Sequence, residues 1–148
     1  MLTSCYDSNC VSCTDSSEGD CTGCGSYSLL LGACYSTSCT STSNCGYCTI
    51  GCSGSSCCDY CNSGYTEVSG TCYATSCLDS NCALCTSKTC SDCCETCNTD
   101  YSAVSGTCYS TVCSDSHCSL CTSTSAGTCT TCASDYYVSS GYCYTTTC

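Results

Sequence analysis

Large apolar residues are sparse along this chain and fall at recurring places rather than in stripes. The clearest recurrence is the set Asn62-Ser-Gly-Tyr65-Thr-Glu-Val-Ser-Gly-Thr-Cys72, Asn98-Thr-Asp-Tyr101-Ser-Ala-Val-Ser-Gly-Thr-Cys108 and Ala133-Ser-Asp-Tyr136-Tyr-Val-Ser-Ser-Gly-Tyr-Cys143. A Tyr-x-x-Val stretch closed by Ser-Gly predicts a short hairpin, two brief strands around a glycine turn, tied at the base by the flanking cysteines. No window sustains apolar residues at i, i+3, i+4 and i+7, so helices should be rare. The longest apolar run, Leu29-Leu30-Leu31, is far below the ~20 residues that a spanning helix needs, and no membrane insertion is expected within this segment. A Cys-Tyr pair closes each unit, at Cys34-Tyr35, Cys72-Tyr73, Cys108-Tyr109 and Cys143-Tyr144. A tyrosine repeated at that place is expected to pack between neighbouring units, because its ring offers apolar area that the chain otherwise lacks.

The cysteines carry the period. Blocks open at Cys5, Cys39, Cys77, Cys113 and Cys148, separated by 34, 38, 36 and 35 residues. Six core cysteines follow C-x(4,5)-C-x2-C-x(7-9)-C-x2-C-x(9,10)-C in each block, and four residues lead to the next. The frames are Cys5, Cys10, Cys13, Cys21, Cys24, Cys34; Cys39, Cys45, Cys48, Cys58, Cys61, Cys72; Cys77, Cys82, Cys85, Cys94, Cys97, Cys108; and Cys113, Cys118, Cys121, Cys129, Cys132, Cys143. The second block adds Cys52 and Cys57, the third Cys90 and Cys93, and Cys148 is left over. This divides the chain into four repeats, 1–38, 39–76, 77–112 and 113–147, with Cys148 starting a fifth unit or making an inter-chain link.

Composition explains why cysteine must do the holding. The 148 residues include 29 Cys and no Phe, Trp or Pro, so one hydrophobic core cannot be assembled to offset chain entropy. The fold class expected is small and disulfide-rich: an elongated tandem array of hairpin and loop modules, persisting in an oxidising compartment, hence extracellular or at the cell surface. Twelve acidic residues face one Lys (Lys88), for a formal net charge of -11. Phosphate backbones are bound through Lys and Arg, so nucleic acid is excluded as a partner and anionic membrane surfaces are disfavoured. No asparagine stands in an N-glycosylation sequon, but the runs Thr122-Ser-Thr-Ser125 and Thr145-Thr-Thr147 suit O-linked glycans.

Catalytic chemistry finds little to work with, and no enzyme activity is expected. Two C-x2-C pairs per unit could furnish tetrahedral thiolate sites, yet structural zinc sites usually bring Lys and Arg that offset thiolate charge. A chain already this acidic argues against metal, and no cofactor is expected. C-x2-C also occurs in thiol redox catalysis, but no helix or βαβ pattern accompanies these pairs. His117, the single imidazole, stands where the other units have Asn9, Asn44 and Asn81, a poor place for a unique base. Asp15, Glu18 and Asp20 are scattered without the spacing of a calcium loop.

The spacing C-x4-C-x2-C-x7-C-x2-C, followed by Gly/Asp-Tyr and a Gly before the sixth cysteine, resembles the furin-like repeat of growth-factor receptors, R-spondins and many protist surface proteins. The fourth unit is the nearest match, and the resemblance covers essentially the whole chain. In Ser/Thr content it is also similar to cysteine-periodic surface antigens of ciliates and diplomonads. Spacing alone cannot choose among the 15 connectivities that six cysteines allow. The resemblance implies pairing of first with third, second with fourth and fifth with sixth: Cys5 with Cys13, Cys10 with Cys21, Cys24 with Cys34; Cys39 with Cys48, Cys45 with Cys58, Cys61 with Cys72; Cys77 with Cys85, Cys82 with Cys94, Cys97 with Cys108; Cys113 with Cys121, Cys118 with Cys129, Cys132 with Cys143. Cys52 with Cys57 and Cys90 with Cys93 are the expected extra pairs, although the adjacent Cys57-Cys58 and Cys93-Cys94 could exchange roles.

Met1-Leu2-Thr3-Ser4-Cys5 has neither a basic region nor an apolar stretch, which suggests a mature or excised segment rather than a chain with its leader. An odd cysteine in a secreted protein invites intermolecular pairing, which makes Cys148 the candidate link and self-association into a homopolymer the expected partnership. The function expected is a building block of a disulfide-stabilised filament, appendage or cell-surface coat, assembled head to tail. The alternative is the ligand-binding or adhesive ectodomain of a cysteine-rich receptor or antigen.

Overall fold

The computed structural model describes residues 5–39 and 43–146. All of its regular structure is strand: among the described residues there is no helix, and none long and apolar enough to cross a membrane. The fold is a disulfide-rich tandem array of small hairpins. By backbone contacts it divides into two compact units, Met1–Tyr73 and Ala74–Cys148.

Every repeat contributes four strands, in order: β1 (Ser12–Cys13), β2 (Cys21–Gly23), β3 (Ser28–Leu30) and β4 (Ala33–Tyr35); then β5 (Cys45–Cys48), β6 (Cys58–Cys61), β7 (Tyr65–Val68) and β8 (Thr71–Ala74). The third and fourth repeats add β9 (Cys82–Cys85), β10 (Cys94–Cys97), β11 (Tyr101–Val104) and β12 (Thr107–Ser110), followed by β13 (Cys118–Cys121), β14 (Cys129–Cys132), β15 (Tyr136–Ser139) and β16 (Tyr142–Thr145).

The first hairpin of a repeat is built from its two C-x2-C segments. β9 and β10 are antiparallel, with Cys82 opposite Cys97 and Cys85 opposite Cys94, and β5/β6 and β13/β14 repeat that register. The disulfides do not join these directly opposed residues. They run diagonally, Cys82–Cys94 across the hairpin, while Cys85 reaches back to Cys77 and Cys97 forward to Cys108. The hairpin is thereby pinned at both ends to its flanking chain.

The second hairpin is the one foreshadowed by Tyr-x-x-Val-Ser-Gly. Val104 pairs with Thr107, Ser139 with Tyr142 and Leu30 with Ala33, leaving two-residue loops. Both loop residues have positive φ in all four repeats: Leu31 and Gly32 (49° and 77°), Ser69 and Gly70 (51° and 78°), Ser105 and Gly106 (50° and 80°), Ser140 and Gly141 (47° and 79°). These are type I′ turns, whose twist matches that of the strands they join. The glycine carbonyl then accepts from the N–H of the fourth core cysteine, at Cys21 (3.0 Å), Cys58 (2.9 Å), Cys94 (2.8 Å) and Cys129 (2.9 Å). The tip of the second hairpin is thus docked against the start of the first hairpin's return strand.

Candidate functional site

Two features recur with the repeat and are the places where chemistry or assembly can act: a packed cluster of sulfurs and a joint to the next repeat. Every cysteine from Cys5 to Cys143 is in a disulfide. In each repeat the first bonds the third (Cys5–Cys13, Cys39–Cys48, Cys77–Cys85, Cys113–Cys121) and the second bonds the fourth (Cys10–Cys21, Cys45–Cys58, Cys82–Cys94, Cys118–Cys129). The fifth bonds the sixth: Cys24–Cys34, Cys61–Cys72, Cys97–Cys108 and Cys132–Cys143. Cys52 is bonded to Cys57 and Cys90 to Cys93. Cys148 lies outside the described residues.

The second and third bridges of a repeat stack on one another. The Sγ atoms of the fourth and sixth core cysteines are 3.4 Å apart at Cys21 and Cys34, 3.1 Å at Cys58 and Cys72, 3.1 Å at Cys94 and Cys108, and 3.3 Å at Cys129 and Cys143. Sulfur takes the place of aliphatic packing here, since the buried residues are almost all cysteines. Cys82, Cys94 and Cys108 hold their sulfurs within 4.8 Å of one another, a spacing that thiolates could use for a metal ion. Oxidised to disulfides, these sulfurs lack the charge that a thiolate ligand needs. Thermal unfolding of the native protein is accordingly expected to be the same with and without EDTA; a fall in melting temperature in chelator would reveal a structural metal.

The joint is made by the second residue after the sixth cysteine. Ser36 pairs with Cys48, Ala74 with Cys85 and Ser110 with Cys121. Ala74 is wholly buried and Ser110 is 2% exposed. Their carbonyl oxygens face the first bridge of the following repeat, at 3.6 and 3.8 Å from the sulfurs of Cys77 and Cys85, and 3.5 and 3.6 Å from those of Cys113 and Cys121. At Ala74 and Ser110 this burial leaves room only for a small side chain. Tyr35 adds an edge-on ring contact to Tyr60 at 5.4 Å, and Ile50 packs on the cluster of Cys21, Cys24 and Cys34. Tyr73 and Tyr109 are half-buried, whereas Tyr144 turns to its cross-strand neighbour Tyr137 at 6.0 Å.

In the first, third and fourth repeats a carboxylate ties the segment before the second core cysteine to the amide of the sixth. Asp7 accepts from the Asn9 N–H (2.9 Å) and the Cys34 N–H (3.0 Å); Asp79 accepts from Asn81 (2.9 Å) and Cys108 (3.3 Å); Asp115 accepts from His117 (2.9 Å) and Cys143 (3.1 Å). The Asn9 and His117 amides are the leading reason that Asp7 and Asp115 are held below the ordinary aspartate range, with Cys34 and Cys143 adding to it. A depressed native pKa means that this stabilisation is present above the unfolded value of about 3.9 and is lost as pH falls through the lower native value. The amide resonances of His117 and Cys143 are therefore expected to move together through one transition centred below pH ~3.9, and that shared transition should vanish in Asp115→Asn.

His117 itself is half-exposed; its ring stacks on Tyr136 at 4.1 Å, and its Nδ1 is 3.7 Å from Asp115 Oδ1. An open polar hollow of about 370 Å³ is lined by Thr49, Cys52, Ser56, Asp59 and Glu67 beside the Cys52–Cys57 bridge. Asp15 bonds the Ser17 N–H (2.5 Å), and Asp20 bonds the Thr14 hydroxyl (3.0 Å), so these acidic groups serve their own loop. No family model, curated protein or solved structure matches the chain. Disulfide-rich hairpin repeats of this kind are typical of extracellular proteins, where an oxidising environment keeps the bridges intact.

Proposed function

We propose that this chain is an extracellular structural protein, a building block of a disulfide-stabilised filament, appendage or cell-surface coat in which repeats join head to tail. The observation that carries this reading is the recurring joint, where the backbones of Ser36, Ala74 and Ser110 each pair with the third core cysteine of the next unit. A contact built from backbone pairing, with a carbonyl oxygen against the next bridge, can be repeated without a dedicated partner, which is what a homopolymer needs. The pairing of first with third, second with fourth and fifth with sixth cysteine supports reading the repeats as furin-like. O-linked sugars on the exposed stretch 122–125 would suit a surface coat.

A second reading, an adhesive or ligand-binding ectodomain, is favoured by the exposed Tyr137, Val138, Tyr142 and Tyr144 on β15 and β16. Electron microscopy of the native material, with reducing and non-reducing gels beside it, separates the two. Regular filaments, or ladders that collapse on reduction, are the expected result; uniform monomers at all concentrations would overturn the structural reading and turn attention to the fourth repeat's tyrosines.

A further inference from the structure

The bridges of this protein are not equally protected. Cys85 and Cys121 are 1% exposed, and Cys94 is 8% exposed. Cys90, in the loop between β9 and β10, is half-buried, and its bridge to Cys93 spans a sequence separation of only 3. The first and fourth repeats keep the three core bridges and both hairpins with no counterpart of Cys90 or Cys93. The fold therefore does not require this bond. Lys88, the sole Lys or Arg, stands two positions before Cys90 in a chain of formal net charge -11. An approaching thiolate is repelled by most of this surface, and the loop at Lys88 offers it a cation. Asp92, whose Oδ1 is 3.4 Å from Cys90 Sγ, acts in the opposite sense.

We propose that Cys90–Cys93 is a thiol–disulfide exchange site through which copies of the chain become covalently joined; this rests on the structural reading above. A thiolate of a low-molecular-weight thiol attacks Cys90 Sγ, forming a mixed disulfide, and the Cys90–Cys93 bond breaks with its electron pair leaving on Cys93 as a thiolate. The Cys93 thiolate attacks Cys90 Sγ of a second copy, an inter-chain disulfide forms, and that copy's Cys93 leaves as the next thiolate. One disulfide is made for each one broken, and no oxidant or reductant is consumed. Reclosure onto Cys90 within the same copy competes, so joining gains with protein concentration. The Cys52–Cys57 bridge has an exposed Cys52 but a Cys57 that is only 6% exposed, and it is the slower relative because the carboxylates of Asp59 and Glu67 line the hollow beside it and repel a thiolate.

The test is to give the native protein a substoichiometric amount of 2-mercaptoethanol, quench with iodoacetamide, and map the labelled and cross-linked peptides beside a non-reducing gel. Cys90 and Cys93 are expected to react on the order of tenfold ahead of every other cysteine. A ladder should strengthen with protein concentration and with salt, which screens repulsion between acidic copies, and should be lost in Cys90→Ser/Cys93→Ser. Earlier reaction at Cys52 or at a core cysteine overturns the proposal on the wild-type protein alone, as does a ladder that persists in the double variant. Filaments seen in the microscope despite such a result leave the structural reading standing, whereas exchange at Cys90 with no multimer at any concentration overturns the joining step.

Discussion

Gly106→Ala is expected to cost about 3 kcal/mol or more and to scramble disulfide formation in the third repeat. Two effects add. Gly106 has φ of +80°, a region that costs an L-residue about 1–2 kcal/mol. A methyl group there would also lie 1.9 Å from the Asp92 carbonyl oxygen and 2.5 Å from its carbon, both backbone atoms with no side-chain freedom to yield. The hairpin tip cannot lift away cheaply, since the Gly106 carbonyl accepts the Cys94 N–H at 2.8 Å and Cys94 is itself bridged to Cys82. Gly51→Ala is the control: φ is +78° but nothing lies within 4 Å, so only the conformational cost of about 1–2 kcal/mol should appear. Thermal unfolding gives the two costs, and peptide mapping after oxidative refolding gives the fraction of mispaired bridges. Equal losses in the two variants would show that the docking of the tip on the Asp92 backbone contributes nothing.

Removal of a core bridge is the other large effect. Cys82→Ser/Cys94→Ser opens a bridge of sequence separation 12, worth about 3 kcal/mol through the entropy of the unfolded chain. The serine hydroxyls inherit acceptors, because the Leu84 and Thr96 carbonyl oxygens lie 3.1 and 3.2 Å from the two sulfurs, so the loss is mainly that of the cross-link. Each repeat carries its own three core bridges, and protease cutting should therefore appear within residues 77–112 while the fourth repeat stays resistant. Cys90→Ser/Cys93→Ser, which removes a separation of 3, should lose roughly half as much by the same loop entropy and leave the protease pattern unchanged.

Much of the architecture is legible in the chain because cysteine is both its period and its core. The frame of six cysteines marks each unit, and Ser-Gly before Thr-Cys announces the type I′ hairpin of the second and third repeats. The same hairpin in the first repeat is harder to see, since Leu31-Gly32 replaces Ser-Gly and the run Leu29-Leu30-Leu31 resembles a fragment of core. The C-x2-C segments give no strand signal at all: β5, β9 and β13 have no alternation of β-branched residues, and diagonal bridges hold them extended instead. The joint escapes notice for a related reason. Ala74 and Ser110 matter by being small, and small residues carry no pattern of their own. The aspartate clamp did leave a trace, in Asp7-Ser-Asn9, Asp79-Ser-Asn81 and Asp115-Ser-His117, each directly before the second core cysteine. Its meaning depends on the Cys34, Cys108 and Cys143 amides some 28 residues away, which only the folded chain brings near.

The order in which the bridges interlock has a mechanical consequence. Under tension, load in the first repeat follows the shortest covalent route from Cys5 to Cys39: across to Cys13, three backbone steps back to Cys10, across to Cys21, three steps on to Cys24, across to Cys34 and five steps to Cys39. The remaining residues hang in loops that carry no force. At about 3.5 Å per residue, a repeat pulled flat with its bridges intact reaches roughly half the length of the bare chain. Stretching such a tether would meet early, steep resistance, with covalent sulfur rather than weak packing as its final stop.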